Sequence, residues 1–154
     1  MANIKRKLLS GNEAIALGAL HSGCALGVGY PGTPSTEILE VFSALGGSAE
    51  WAPNEKVAAE VALGVAFAES NSLVTMKHVG LNVSQDLFFT ASYSGVQGAM
   101  VAIVRRSRMA SAKMNRIPVL WRIAGLLFWP SDSQEAYDFV KLAFKLSHRW
   151  QIPL

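Results

Sequence analysis

Short apolar runs alternate along this chain with longer segments in which apolar residues recur at helical spacing. Apolar and β-branched runs bounded by turn-forming residues predict buried strands. These runs lie at 25–30, 48–51, 72–77, 99–104 and, as an incomplete strand, at 151–154. The helical spacing predicts helices over about 11–22, 34–45, 54–68, 85–95 and 135–150. This alternation predicts an α/β fold, a three-layer doubly wound parallel sheet with helices on both faces.

Capping residues indicate where the first three helices begin. Ser10 and Glu13 form a capping-box pattern at the first helix. Thr33 is predicted to cap the second helix, with Pro34 at its first helical position, and Asn54 is predicted to cap the third. The third helix carries apolar residues at helical spacing at Val57, Val61, Gly64, Val65 and Ala68.

Loops at the carboxyl ends of the strands are the expected place for a ligand, because parallel sheets bind ligands there, beside a topological switch point. The loops concerned are 30–35, 52–56 and 77–84. His78 and Asn82 follow a strand directly, whereas His21 and His148 fit the surface of helices. The histidines lack the spacing of metal ligands, so no metal site is predicted on this chain.

The segment Gly27–Gly32 matches the glycine pattern of dinucleotide-binding domains, and Glu50 has about the spacing of their ribose-binding acid. However, Pro31 and Pro34 remove two backbone donors that a pyrophosphate would need. The alternative, glycines that let a strand pass closely beneath a helix, is therefore favoured.

Composition excludes several classes of protein. With 154 residues, 51% of them hydrophobic, the chain fits one compact domain, not a disordered or disulfide-based protein. Cys24 is the only cysteine, so an iron–sulfur cluster would have to belong to another chain. No apolar stretch reaches the ~20 residues of a membrane span, and no signal peptide precedes the first helix, so a cytoplasmic location is predicted. A mean hydropathy of +0.27 predicts that one face is buried against a partner.

Basic residues are concentrated in one segment, 105–129, which holds six cations and no acidic residue. The rest of the chain carries eight cations against eleven acids. The pI near 9.2 therefore reflects one anomalous segment, and a nucleic-acid partner is not predicted.

Four segments resemble consecutive motifs of the indolepyruvate:ferredoxin oxidoreductase alpha subunit. They are Leu9–Ala14, Gly29–Glu37, Trp51–Lys56 and Thr75–Asn82. The resemblance is to its N-terminal thiamine diphosphate pyrimidine-binding domain, which is shared with pyruvate:ferredoxin oxidoreductases. It covers about 7–104 and resumes at 130–153. It implies a thiamine diphosphate-binding fold of the pyrimidine type and an oxidoreductase that converts an aryl pyruvate to an acyl-CoA, with ferredoxin as electron acceptor.

The resemblance also implies roles for particular residues. Spacing alone favours Glu55 as a carboxylate that stabilises the helix dipole. The resemblance instead implies that Glu55 is catalytic and hydrogen-bonds N1′ of the aminopyrimidine, which activates the cofactor. Thr33 and His78 are the implied substrate contacts. The implied cofactor contacts besides Glu55 are Pro31, Gly32, Thr33, His78 and Asn82.

The chain departs from this family in length. The family subunit continues with a domain that holds the diphosphate through Mg²⁺ and with a cysteine-rich ferredoxin-like segment. We therefore expect 1–154 to be a single, truncated pyrimidine-binding domain of an oligomeric complex, inactive alone, with Mg²⁺ and iron–sulfur clusters held elsewhere. Two alternatives remain open: a pyrimidine-binding subunit of a two-chain 2-oxoacid decarboxylase, and a non-catalytic remnant of the same fold.

The second departure is the basic segment 105–129, where the family has an acidic Ala-Asp-Asp-Pro-Gly-Met sequence. Codons for Ala-Asp-Asp-Pro-Gly, when they are read out of phase, can encode Arg-Arg-Ser-Arg, which is the sequence at 105–108. We hypothesise that 105–129 is translated in a shifted frame. Failure to recover the acidic version from the other frames of the coding DNA would exclude this hypothesis.

Overall fold

The computed structural model describes residues 7–105 and 128–154 of the chain. Its helices are α1 (Gly11–His21), α2 (Thr36–Ala44), α3 (Glu55–Phe67), α4 (His78–Val83), α5 (Gln85–Ser94) and α6 (Ser133–Trp150). Its strands are β1 (Leu26–Gly29), β2 (Ala49–Trp51), β3 (Ser72–Lys77) and β4 (Met100–Arg105). The strands pair in parallel in the order β2-β1-β3-β4.

Helices cover both faces of this sheet, so the predicted three-layer α/β fold is confirmed. Helices α1, α2 and α6 surround one core cluster, which includes Phe42 and Phe144. Helices α3, α4 and α5 pack over a second cluster, which includes Met76. Strand β3 serves both clusters, because successive side chains of a strand point to opposite faces: Leu73 joins the first and Val74 the second.

The glycines of β1 lie against neighbouring side chains. A Cβ atom placed on Gly29 would lie 2.6 Å from Oγ1 of Thr75 and 2.8 Å from Cδ1 of Leu39, and one on Gly27 would lie 2.8 Å from Cδ2 of Leu39. These glycines therefore allow α2 to pack closely on β1. The prediction that they serve close packing is confirmed.

Two predicted boundaries are wrong at the carboxyl ends of β1 and β3. Thr33 does not cap α2, which begins at Thr36 after Ser35. Residues 32–35 instead form a turn, in which Gly32 O accepts hydrogen bonds from Ser35 N at 2.8 Å and from Ser35 Oγ at 2.6 Å. The segment 77–84 is not a loop either, because α4 begins at His78 as soon as β3 ends.

Helix α3 turns its alanines towards the core, not the row of valines that marked it in the sequence. The buried residues are Ala58, Ala59, Ala62 and Ala66. Val57, Val61 and Val65 are half-buried, and Gly64 and Ala68 are exposed. Small side chains on the inner face let the helix approach the sheet more closely than valine would allow.

The last residues of the chain continue the sheet beside β4. Leu154 N donates a hydrogen bond to Met100 O at 2.9 Å, and Leu154 O accepts one from Ala102 N at 2.6 Å. This is a parallel ladder pattern. Of the incomplete strand predicted at 151–154, only Leu154 pairs with β4, because Gln151 is still the C-cap residue of α6.

The anomalous segment 105–129 lies outside the described residues except at its two ends, so the hypothesis of a shifted frame stays a prediction. In the part of the chain that the structure describes, no helix combines the length and the apolar character needed to cross a bilayer.

Candidate functional site

The strand order creates a topological switch point between β1 and β3. From β1 the chain moves outwards to β2, and it then crosses back to β3 on the other side of β1. The connections that leave β1 and β3 therefore diverge over opposite faces of the sheet, which opens a crevice at their carboxyl ends. Pro31, Gly32 and Thr33 lie in the segment that follows β1, and His78 and Asn82 in the segment that follows β3. Glu55 lies in the segment that follows β2, the neighbour of β1.

Glu55 is the first residue of α3, the helix that follows β2. Asn54 caps this helix, because its Oδ1 accepts a hydrogen bond from Val57 N at 2.9 Å. The Glu55 side chain is half-buried and packs against Gly80 of α4. Among the described residues, its carboxylate has no hydrogen-bond or ion-pair partner. The Glu55 side chain therefore lies against the start of α4, the helix that follows the end of β3.

His78 and Asn82 both belong to α4, four residues apart and hence on the same side of that helix. His78 is the first helical residue and is buried, whereas Asn82 is exposed. The structure thus brings the imidazole to the end of β3, in the same helix as Gly80. Asn82 lies one turn further along, towards solvent.

The turn that follows β1 carries Pro31, Gly32 and Thr33. Pro31 and Thr33 are exposed and Gly32 is half-buried. A Cβ atom on Gly32 would lie 3.5 Å from Cβ of Lys77, the last residue of β3. The turn and the end of β3 are therefore neighbours at the crevice.

Asn12 of α1 binds the turn through a side-chain hydrogen bond, and the sequence analysis did not predict this contact. Its side chain is 5% exposed, and its Nδ2 donates hydrogen bonds to Pro34 O at 3.0 Å and to Glu37 Oε2 at 2.7 Å. In the sequence, Asn12 stands only within the capping motif of α1. No local signal shows that its amide reaches a residue 22 positions away.

A salt bridge fixes the start of α3 against α5. Lys56 Nζ lies 2.8 Å from Asp86 Oδ2. This hydrogen bond lowers the pKa of the Asp86 carboxyl and raises the pKa of the Lys56 ammonium. Both side chains are largely exposed, so the pair orients the helix start and adds little stability.

Four large apolar side chains at the carboxyl ends of the strands and in α4 are exposed. They are Tyr30, Trp51, Val79 and Val83, each 40–52% exposed. They lie after β1, at the end of β2 and in α4. Among the described residues, no group of three carboxylate, imidazole or thiol side chains forms a metal site.

Comparisons with known proteins agree with this architecture. The chain is 41% identical to the indolepyruvate oxidoreductase subunit IorA of Pyrococcus abyssi over an alignment of 161 positions, which covers 95% of this chain and 24% of that protein. It is 38% identical to the subunit of the same name from Archaeoglobus fulgidus, covering 97% of this chain and 26% of that protein. No family model matches the sequence.

Among solved structures, the 2-oxoglutarate:ferredoxin oxidoreductase from Magnetococcus marinus has a similar fold. The TM-score is 0.79 over 94% of this chain and 28% of that chain, at 19% sequence identity. The fold is therefore one that occurs in 2-oxoacid:ferredoxin oxidoreductases. More particularly, the chain is homologous to part of the indolepyruvate oxidoreductase subunit IorA, as its motifs predicted, and it spans about a quarter of the length of these relatives.

Proposed function

We propose that this chain provides the pyrimidine-binding half of a thiamine diphosphate site in a 2-oxoacid:ferredoxin oxidoreductase that acts on an aryl pyruvate such as indolepyruvate. The observation that carries the proposal is the position of Glu55. Its carboxylate lies at the start of α3 beside the end of β3, half-buried and without a partner among the described residues. The homology to IorA subunits supports the choice of substrate class.

The surroundings of Glu55 fit the aminopyrimidine ring of this cofactor. Because Gly80 has no side chain, the Glu55 side chain can occupy the space beside it. Among the described residues, no cation forms an ion pair with the Glu55 carboxylate. Because the carboxylate accepts hydrogen bonds, it would hold a protonated ring nitrogen at N1′ and favour the imino tautomer. When bound, thiamine diphosphate supplies the electron sink for decarboxylation.

The other candidate residues would surround the ring and the substrate. Thr33, with Pro31 and Gly32, lies in the turn next to Lys77, from which its hydroxyl would reach the substrate. His78 would face the same crevice from the start of α4, and Asn82 would lie at its rim. Their assigned roles are binding and orientation.

A second domain or subunit would close the site. The exposed Tyr30, Trp51, Val79 and Val83 provide an apolar surface around the crevice, and a diphosphate-binding module is the partner we propose for it. That module would hold the diphosphate through Mg²⁺. The iron–sulfur clusters and the CoA and ferredoxin sites would lie on other regions of an oligomeric complex. The free buried thiol of Cys24 fits a cytoplasmic location.

Calorimetry with thiamine diphosphate and Mg²⁺ distinguishes this proposal from its alternatives. We expect binding when the chain is co-expressed with a diphosphate-binding domain, and little binding by the chain alone. Absence of binding under both conditions would favour a non-catalytic remnant. Binding with CO₂ release that does not depend on ferredoxin would favour a two-chain decarboxylase.

Substitution of Glu55 tests the assigned role. Glu55→Gln keeps the shape of the side chain and removes the charge, so turnover of the assembled enzyme should fall by about 10²–10⁴-fold, the usual contribution of a general acid or base. Glu60→Gln is the matched control, because Glu60 is an exposed glutamate of the same helix. Equal turnover in the two variants would refute the role of Glu55.

A further inference from the structure

Gly80, the third residue of α4, lies directly against the Glu55 side chain. A Cβ atom on Gly80 would lie 2.5 Å from Oε1 and 2.6 Å from Cδ of Glu55, and it would also overlap Cγ. Carbon atoms in contact are about 3.5–4.0 Å apart. A side chain at position 80 and the present position of the Glu55 carboxylate therefore exclude each other.

The backbone on the α3 side of this contact is fixed. Asn54 caps the helix immediately before Glu55, and Ala58 and Ala59 in the next turn are completely buried in the second core cluster. The first turn of α3 is thus held from two directions. A group added at position 80 would push the flexible glutamate side chain and not the helix.

The backbone on the α4 side is fixed as well. Gly80 O accepts hydrogen bonds from Ser84 N at 3.1 Å and from Ser84 Oγ at 2.9 Å, and Ser84 is completely buried. Leu81 is buried in the core cluster under α3. Helix α4 therefore cannot retreat from α3 without opening this cluster.

From these constraints we infer that Gly80 is a positioning residue, whose missing side chain sets the place of the Glu55 carboxylate at the crevice. The catalytic meaning of this inference rests on the proposed function. Gly80→Ala should leave the chain folded and rotate Glu55 away from the end of β3, because the three nearest atoms, Cγ, Cδ and Oε1 of Glu55, all belong to one side chain that turns about its Cα–Cβ bond.

Gly64 provides the matched control, since it is a helical glycine of α3 at which an added Cβ atom would meet no other atom within 4 Å. Gly64→Ala adds the same methyl group to the same pair of helices without touching Glu55. Gly64→Ala therefore shows what an added methyl group does to a helical glycine when it does not meet the carboxylate.

NMR of the 154-residue chain tests the position without any cofactor. The side-chain carboxyl resonance of Glu55 is assigned by its loss in Glu55→Gln, and its chemical shift and side-chain couplings are compared between variants. We expect both to change in Gly80→Ala, with the Glu60 resonance unmoved, and neither to change in Gly64→Ala. An unchanged Glu55 resonance in folded Gly80→Ala would overturn the inference.

A second pair of variants covers the case in which Gly80→Ala fails to fold. Glu55→Ala removes Cγ, Cδ and the carboxylate, so Glu55→Ala with Gly80→Ala should fold again. Failure of this double variant to fold would show that position 80 meets something other than Glu55, and the inference would be wrong.

Turnover of the assembled enzyme separates this inference from the proposed function. If both hold, Gly80→Ala lowers turnover at least tenfold, Gly64→Ala does not, and Gly80→Ala causes no further loss in the Glu55→Gln background. An equal further loss in that background would overturn the positioning role. Full turnover of Glu55→Gln, with the Glu55 resonance moved in Gly80→Ala, would instead refute the proposed function and leave the geometric inference standing.

Discussion

At the scale of single residues, Cys24 shows how burial controls a titratable group. Its thiol lies in the first core cluster and donates to Leu26 O at 3.4 Å. Burial raises the pKa of the thiol from 9.0 to about 12. The folded state therefore disfavours the thiolate that the unfolded chain forms readily at alkaline pH.

This shift predicts a pH dependence of stability. The contribution of the thiol is fully present below pH 9.0, where both states are protonated, and it is lost as pH rises towards the folded pKa of about 12. Each pH unit between these two pKa values lowers the free energy of unfolding by at most about 1.4 kcal/mol. From pH 7 to pH 10, the wild type should lose about 1.4 kcal/mol more unfolding free energy than Cys24→Ala. Equal losses in urea titrations of the two proteins would contradict the prediction.

The sequence predicted the place of Glu55 but not its packing. Asn54 is a capping residue, so Glu55 had to begin a helix just beyond the end of a strand. The contact with Gly80 depends on how α3 packs on α4, two helices that are distant in the chain, and no local pattern encodes it.

At the scale of elements, Asn12 connects α1 to the turn before α2 and to α2 itself. Asn12→Asp keeps the shape of the side chain, loses the Nδ2 donor and places a carboxylate next to Glu37, which lies 2.7 Å from Nδ2. We expect the unfolding free energy to fall by about 2–4 kcal/mol at neutral pH, and part of this loss to disappear when the carboxyls are protonated.

The control for this prediction is Asn71→Asp. Asn71 Nδ2 donates to Ser22 O at 3.0 Å, so this variant also loses a donor in a half-buried place, with no carboxylate among its hydrogen-bond partners. Denaturant unfolding at pH 7 and pH 4 measures both variants. A loss in Asn12→Asp no larger than in Asn71→Asp would show that the link to Glu37 contributes nothing.

The elements that sequence reasoning misjudged are those that position the crevice. The Thr33–Pro34 pair is typical of a helix start, yet Gly32 draws Ser35 into a turn and delays α2 until Thr36. The segment 77–84 is predicted from the sequence to be a loop, but α4 forms there because Leu81 and the buried Ser84 bind it to the sheet. A local turn decided the first case and tertiary packing the second, whereas the caps at Ser10 and Asn54 predicted the starts of α1 and α3 correctly.

At the scale of the whole molecule, the last three residues connect helix α6 to strand β4 at the edge of the sheet. Leu154 pairs with β4, and Ile152 O accepts a hydrogen bond from Ser147 Oγ of α6 at 2.7 Å. Deletion of 152–154 should therefore loosen α6 from the sheet. We expect a loss of about 2–4 kcal/mol in unfolding free energy, from apolar burial and the edge hydrogen bonds.

Hydrogen exchange measures this effect locally. The amide of Ala102, which donates to Leu154 O, should exchange faster in the deletion variant, whereas Leu154→Ala keeps the backbone bonds and should protect it. Equal protection of the Ala102 amide in the wild type and the deletion variant would mean that the terminal residues do not extend the sheet in solution.

The central claim, that Glu55 meets the ring of thiamine diphosphate at the crevice between β1 and β3, is tested most directly by a structure of the chain assembled with a diphosphate-binding domain, the cofactor and Mg²⁺. We predict a Glu55 carboxylate oxygen within about 3.2 Å of N1′ of the aminopyrimidine. A ring bound away from the carboxyl ends of these strands, with Glu55 directed into bulk water, would contradict the account.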